Sequence, residues 1–485
     1  MPKNNKWLIL FLAALLIIGF FYRIYGLSNN YSFWNDEEHV AIFARAILES
    51  NRPVLANGYN TGFSQYLQYW FSAVSAKIFG LNELAIRLPS LIFGVLTIWA
   101  VYLLGKELFN RNVGLVAAAF TTFLKIEILW SRQARPYQAL QFFLLLGIWF
   151  AYKLTKEEKF NCRYLVGFIF SGLLASLMHG LGLVLFGFGF LLFLCNYPSW
   201  FPKKWLLAVT FVLVAFTFWF RSQIWPFFAH FKQTNLLFYY RVWLTHHYLL
   251  IILLALVGVF LSLFLKKGKN SLILGLFLFF QLLVVSFLAP QPYTRYFYIV
   301  FPFLILLAAV GLEGIIPFKK GKNFFFFALA FLIMIFNQKF ILWPQKIYSL
   351  NADMQEIPEV DYQKIYAFIK LKLEKNPGTV FISNWIDHPV WYLGEGYPHY
   401  LLRVNPEGLA KDKFSGAFYL DSLEKLKEVV KNKSHGLILL ESWDDRVPEE
   451  IRREIRSKFK KELEVDHLYP VQPRLWPVEV YSWGM

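Results

Sequence analysis

Charge is what this chain has least of for its size. Only 17% of its 485 residues are Asp, Glu, Lys or Arg, against 57% hydrophobic and 20% aromatic. Such a chain cannot cover an ordinary globular core with polar side chains, so its solvent is expected to be largely lipid. Cysteine is nearly missing as well: Cys162 and Cys195 are the two present, and no disulfide framework is implied. The C-terminal third lacks a glycine-rich phosphate loop, a nucleophile elbow and a metal-spaced His/Cys cluster. No metal or cofactor is therefore assigned.

What is present is a succession of apolar blocks, near 7–22, 88–104, 113–130, 138–152, 164–178, 181–195, 205–220, 248–265, 271–289, 297–316 and 323–341. They predict a polytopic α-helical membrane protein with about eleven transmembrane helices. The first block follows Lys3 and Lys6 as a signal sequence would, but Gly19 to Arg23 offers no small-residue cleavage site, so it reads as an uncleaved first helix. Charge sets the orientation. With the N-terminus cytoplasmic, the inner segments hold Lys3, Lys6, Lys106, Arg111, Lys153, Lys156, Lys159, Arg163, Lys203, Lys204, Lys266, Lys267, Lys269, Lys319, Lys320 and Lys322, mostly lysines, as the positive-inside rule requires. The outer segments before residue 342 carry mostly arginine instead: Arg23, Arg45, Arg52, Arg87, Arg132, Arg135, Arg221, Arg241 and Arg295, with Lys77 and Lys232 as their lysines. Topology needs only positive charge, whereas the planar guanidinium suits paired hydrogen bonds to phosphate or carboxylate. Pairing with local acids or lipid headgroups is the plainer explanation for some of them.

Residues 1–341 are thus expected to form the membrane module, and residues 342–485 a soluble α/β domain on the extracytoplasmic side. In that tail, short aliphatic runs (Thr379 to Ile382, Leu437 to Leu440, Val478 to Tyr481) alternate with charged helical stretches (Asp361 to Lys375, Asp421 to Lys431, Pro448 to Lys461). The tail is close to neutral, so the net charge of +17 belongs to the membrane module. A nucleic-acid partner is not expected.

Three constellations fall on the predicted outer face. Trp34-Asn35-Asp36-Glu37-Glu38 places acids at the start of a helix in the long first outer loop, 24–87. Helix capping is one reading of it, since a first turn favours acids. The helix then repeats Val40, Phe43, Ala44 and Ile47, and with a second amphipathic stretch, Tyr66 to Phe79, is expected to lie along the membrane surface. Trp130-Ser131-Arg132-Gln133-Ala134-Arg135-Pro136-Tyr137 is a tight turn between two apolar blocks, and Pro290-Gln291-Pro292-Tyr293-Thr294-Arg295-Tyr296 opens a later one. Arginines that snorkel, or tyrosines of an aromatic belt, explain parts of both. Together the three set carboxylates and arginines at one interface, where a carboxylate can take a proton from an attacking hydroxyl and arginines can stabilise a departing phosphate.

These motifs resemble the GT-C glycosyltransferases of the protein O-mannosyltransferase and aminoarabinose transferase type. The resemblance covers residues 7–320. It rests on Asp36-Glu37 with Ala44-Arg45 following, Phe79-Gly80-Leu81-Asn82-Glu83-Leu84-Ala85-Ile86-Arg87-Leu88-Pro89, Ser131 to Tyr137, and Arg295-Tyr296 before Pro302. It implies a transferase that moves a sugar from a polyprenyl-phosphate-linked donor to an extracytoplasmic acceptor, which could be a protein, lipid or glycan, among membrane lipids. It also implies that Asp36 is the catalytic base, with Glu37 as its acidic neighbour. Many relatives carry a His or Lys followed by prolines after the first surface helix, where this chain has Gly58-Tyr59-Asn60-Thr61-Gly62. The donor phosphate is accordingly assigned to Arg87, Arg132, Arg135 or Arg295, and Tyr137, His179 and Tyr293 are further substrate-side candidates. A transporter or flippase for a lipid-linked glycan is the rival reading. Against it, polar groups gather at one face and the predicted midplane is poor in ionisable residues.

Overall fold

The computed structural model describes residues 4–27, 32–33, 35–62, 65–202, 236–239, 248–263, 268–287, 293–316, 321–344, 360–405, 408–466 and 477–485. The apolar block 205–220, Trp34, Pro290 to Pro292, the arginines Arg221 and Arg241, and the lysines Lys203, Lys204, Lys266, Lys267, Lys319 and Lys320 lie outside the described residues.

The other apolar blocks coincide with helices. In order these are α1 (Asn4–Ile24), α2 (Asn35–Ser50), α3 (Tyr66–Phe79), α4 (Glu83–Leu108), α5 (Arg111–Phe123), α6 (Lys125–Ser131), α7 (Tyr137–Lys156), α8 (Cys162–Met178) and α9 (Val184–Cys195). Leu249–Ser262, Lys269–Phe287, Thr294–Tyr298, Phe301–Gly314 and Lys322–Phe336 follow. Among the described residues, Lys6–Ile24, Glu83–Leu108 and Lys269–Phe287 are long and apolar enough to cross a membrane by themselves, and five further apolar helices are shorter.

Two blocks are interrupted rather than continuous. Leu124 is extended between α5 and α6, and there the backbone pairs with the segment after Lys322–Phe336, Lys125 N–H donating to Lys339 O at 2.8 Å and Ile341 N–H to Phe123 O at 2.8 Å. The later break precedes Pro302, which lacks an N–H and suits the first turn of a helix. Glycines let the remaining helices close up. A Cβ on Gly311 would fall 2.0 Å from Leu254 O, and one on Gly258 would fall 2.3 Å from Leu307 O, so only glycine permits this backbone approach.

The C-terminal region is a six-stranded sheet in the order β3-β2-β1-β4-β6-β5, with β1 Val380–Ser383, β2 Tyr400–Leu401, β3 Phe418–Tyr419, β4 Gly436–Glu441, β5 Lys460–Val465 and β6 Val478–Trp483. Strands β1 to β4 pair in parallel; β6 runs antiparallel to β4 and β5. Apolar layers cover both faces, Ile365, Ile369 and Phe381 on one and Ile438, Ile451 and Ile455 on the other.

One expectation changes. Helix α2 does not lie free on a membrane surface, because Val40, Ala41, Ile42, Phe43 and Ala44 are all buried in sequence. One face of an amphipathic helix cannot bury five consecutive residues. The second face is covered by the tail, whose Val390 and Phe414 share a core with α2. Nor are ionisable groups missing from the bundle. Glu127 of α6 is fully buried, accepting from Tyr298 OH at 2.8 Å and from Gln141 Nε2 at 3.3 Å. Helix α3 buries Gln68, Ser72 and Ser75 and exposes Val74, Ile78 and Phe79, the reverse of a helix facing water.

Candidate functional site

The acids of the first constellation sort by direction. Asp36 and Glu37 are neighbours in the first turn of α2, about 100° apart around the helix axis. Glu37 turns inward and pairs with Arg87 of α4 through two parallel hydrogen bonds of 2.7 Å, both side chains nearly sealed from solvent. Its Oε1 also accepts the Ala134 N–H at 2.7 Å. The turn between α6 and α7 is thereby fastened to α2 one residue before Arg135.

Asp36 turns the other way and keeps 30% of its side chain exposed. Its Oδ2 accepts from Arg135 Nη2 at 2.8 Å and from Arg295 Nη1 at 3.0 Å. Arg135 donates through Nη1 to the Asp36 carbonyl at 2.9 Å, and the Ser90 hydroxyl holds the Arg135 carbonyl at 3.1 Å. Arg295 lies 4.0 Å over the Tyr293 ring, and both guanidinium groups face Tyr137, at 5.5 and 6.0 Å. His179 packs against Tyr137 and Tyr296. Its Nδ1 accepts the Leu181 N–H at 3.1 Å, and burial, reinforced by Arg135 and Arg295, pushes it down to about 4. His179 is thus a neutral imidazole beside the two arginines.

The structure therefore brings Asp36, Arg135, Arg295, Tyr137, His179 and Tyr293 together, and sets Arg87 and Arg132 apart. Arg87 is occupied by Glu37. Arg132 Nη1 donates to the carbonyls of Arg23 at 3.0 Å and Tyr25 at 2.7 Å, tying the end of α1 to the turn. Other arginines on this side hold backbone too: Arg45 reaches the carbonyls of Val390 at 2.6 Å and Trp391 at 3.0 Å.

Two groups of residues here escaped the sequence. His39, three residues after Asp36 and on the same side of α2, has Nδ1 3.7 Å from Asp387 Oδ1 of the tail and stacks on Phe414. Burial raises Asp387 above the usual carboxylate range, opposed by His39. Behind them Glu38 abuts His388 Nδ1, with His388 Nε2 3.9 Å from Glu441 Oε1. Glu441 accepts from Tyr362 OH at 2.8 Å and Trp443 Nε1 at 2.7 Å. Burial raises Glu38, pushes Glu441 up to about 8 and holds His388 well below its ordinary value. Glu38 is therefore a buried joint with the tail and not a helix cap. The tandem Asp387-His388 was visible in the chain, but a tandem pair has no diagnostic spacing.

Residues 66–220 match the family described as dolichyl-phosphate-mannose-protein mannosyltransferase. The chain is 30% identical over 159 residues to an uncharacterized protein of Aquifex aeolicus (strain VF5), and 25% identical over 167 residues to YkcB of Bacillus subtilis (strain 168), which is provisionally named a mannosyltransferase. The matches take in 32% and 33% of this chain, and 31% and 22% of the two relatives' length. Among solved structures, apo ArnT from Cupriavidus metallidurans superposes with a TM-score of 0.58 at 15% identity, covering 99% of this chain and 98% of that one. The same protein bound to undecaprenyl phosphate gives 0.56 at 16%, again over 99% and 98%. The Archaeoglobus fulgidus oligosaccharyltransferase AglB, in complex with an inhibitory peptide and a dolichol-phosphate, gives 0.56 at 14%, over 90% and 70%. This chain has the fold of the GT-C membrane glycosyltransferases and carries, over residues 66–220, the mannosyltransferase family's sequence pattern.

Proposed function

We propose that the protein transfers a sugar from a polyprenyl-phosphate carrier to an acceptor hydroxyl or similar nucleophile, with Asp36 as the base and Arg135 and Arg295 as ligands of the donor phosphate. The observation that carries this reading is the meeting of one partly exposed carboxylate with two arginines from distant parts of the chain, 2.8 and 3.0 Å away. A base and an anion-stabilising pair at one point are the requirements of displacement at a sugar carbon bearing phosphate. The family match favours mannose as the sugar.

An apolar groove of about 560 Å³ lies between Leu249–Ser262, Lys269–Phe287 and Phe301–Gly314 and has Phe297, two residues from Arg295, in its lining. A phosphate held by Arg295 would leave its isoprenoid chain against that groove, where burial is favourable. His39, three residues after Asp36, and Asp387 of the tail bring the tail close to the proposed base, so the tail takes part in acceptor binding. Glu37 and Arg87 serve as the support that aims the site. The lysine distribution supports an N-terminus inside and a tail outside the cytoplasm; an inactive alkaline phosphatase fused to the C-terminus would refute it.

The test is incubation of purified protein with a panel of polyprenyl-phosphate sugars, following loss of the donor. Consumption of one donor with release of polyprenyl phosphate supports the transferase. Movement of intact lipid-linked sugar across vesicles without its breakdown supports a flippase instead.

A further inference from the structure

The two arginines proposed for the phosphate are already engaged. Both converge on a single oxygen, Oδ2 of Asp36, and Arg135 also holds that residue's carbonyl. A carboxylate that holds two guanidinium groups in place suits a resting site. It is a poor arrangement for the instant at which the carboxylate must take a proton.

Charge counting removes the conflict. Two guanidinium groups and one carboxylate leave one positive charge, and a sugar phosphodiester brings one negative charge. During transfer the acceptor O–H bond breaks and its proton goes to Asp36, while the acceptor oxygen bonds to the sugar carbon. The bond from that carbon to the phosphate oxygen breaks, its electron pair leaving with the phosphate. The carboxylate loses the charge that the phosphate gains, so the cluster's total is unchanged. Hydrogen bonds can then pass from one acceptor to the other without exposing a charge in a site that is largely closed to water.

We propose that Arg135 and Arg295 are shared between base and leaving group: they hold the Asp36 side chain before the donor arrives, and transfer to the phosphate as the sugar departs. This rests on the functional reading above and adds a competition between Asp36 and phosphate for the same donors. Phosphate that binds must win the arginines from Asp36, so removing the carboxylate should strengthen product binding.

The experiment measures binding of undecaprenyl monophosphate to the full-length protein in detergent, for wild type, Asp36→Asn, Asp36→Ala, Arg135→Lys and Arg295→Lys. Both Asp36 variants should bind about tenfold tighter or more, the scale of one charge-assisted hydrogen bond. Tighter binding is a gain that misfolding cannot produce, and two variants guard against loss of either one. Unchanged or weaker binding by both, with weaker binding by either lysine variant, overturns the sharing and leaves the arginine assignment standing. If both lysine variants bind as wild type does, the functional reading fails together with the inference.

Discussion

Glu37 and Arg87 are fifty residues apart in sequence and meet side-on through two hydrogen bonds of 2.7 Å, each with 2% or less of its side chain exposed. The pair belongs to the support beneath the site. Removing one member strands a buried charge, which costs about 3–5 kcal/mol. Arg87→Ala and Glu37→Ala are therefore expected to lower the unfolding temperature in detergent sharply, and any loss of undecaprenyl phosphate affinity should accompany that loss of stability, because Glu37 also fastens the turn before Arg135. Weakened affinity with normal stability would make Arg87 a phosphate ligand after all.

Asp36→Asn keeps the size of the side chain and removes the proposed base. Transfer should fall by about 10²–10⁴-fold, the usual share of a general base, with normal size-exclusion behaviour. Glu38→Gln should be nearly silent in transfer, because burial raises that carboxyl well above its ordinary value and so favours the uncharged form that Gln resembles. Turnover by Asp36→Asn near the wild-type rate would remove Asp36 from the chemistry.

For Arg135→Lys and Arg295→Lys the charge remains and the planar fork is lost. Each contact made as the phosphate departs is worth about 2–4 kcal/mol, so turnover should drop by about 30-fold to 1,000-fold. Arg132→Lys should affect stability more than turnover, since that guanidinium serves backbone carbonyls. Steady-state rates for the three variants, alongside their melting temperatures, decide this.

The joint between α2 and the tail should weaken as the pH rises. Burial lifts Glu441 from the ordinary Glu value of 4.5 to about 8. Its folded value is above its unfolded one, so its contribution is complete below about pH 4.5 and is lost progressively up to about 8. Glu38 acts in the same direction. His388, held neutral, works the opposite way, but only below about 6.5. Between pH 6.5 and 8 stability should thus fall, by up to about 1.4 kcal/mol per pH unit through Glu441, and Glu441→Gln should flatten the profile. A wild-type melting temperature constant across that interval would show that these acids are not neutral.

The sequence exposed what lipid dictates and concealed what tertiary contact decides. Long apolar blocks announced the bundle helices, because a helix among lipids is apolar nearly all round. The break at Leu124 was hidden because Ile126, Ile128 and Leu129 continue the apolar run. Strand β5, Lys460–Val465, sits at the sheet edge with its charges exposed; its first two residues read as the end of the preceding helix for that reason. The site was legible as a set of residue types on one face, and Asp36 stood out by its motif. Which arginine served it did not. Arg132 and Arg135 lie three residues apart in one turn, and only the folded chain directs the first to the end of α1 and the second to Asp36.

Helix α2 works as a keystone. It carries the proposed base at its first turn, yet Ile42, Phe43 and Ile47 are gripped from both sides, each contributing about 1.5–3 kcal/mol by burial. The tail is therefore no optional attachment. A shortened chain ending before residue 360 would strip the cover from an apolar helix and release the residue next to Glu37 from its setting. Insertions or deletions in the loop that carries Phe414 would be felt at Asp36 through the same stack of rings. An evolutionary change of acceptor could then begin in the tail, by reshaping the segments around Asp387 and Phe414 that meet His39, without altering the bundle at all.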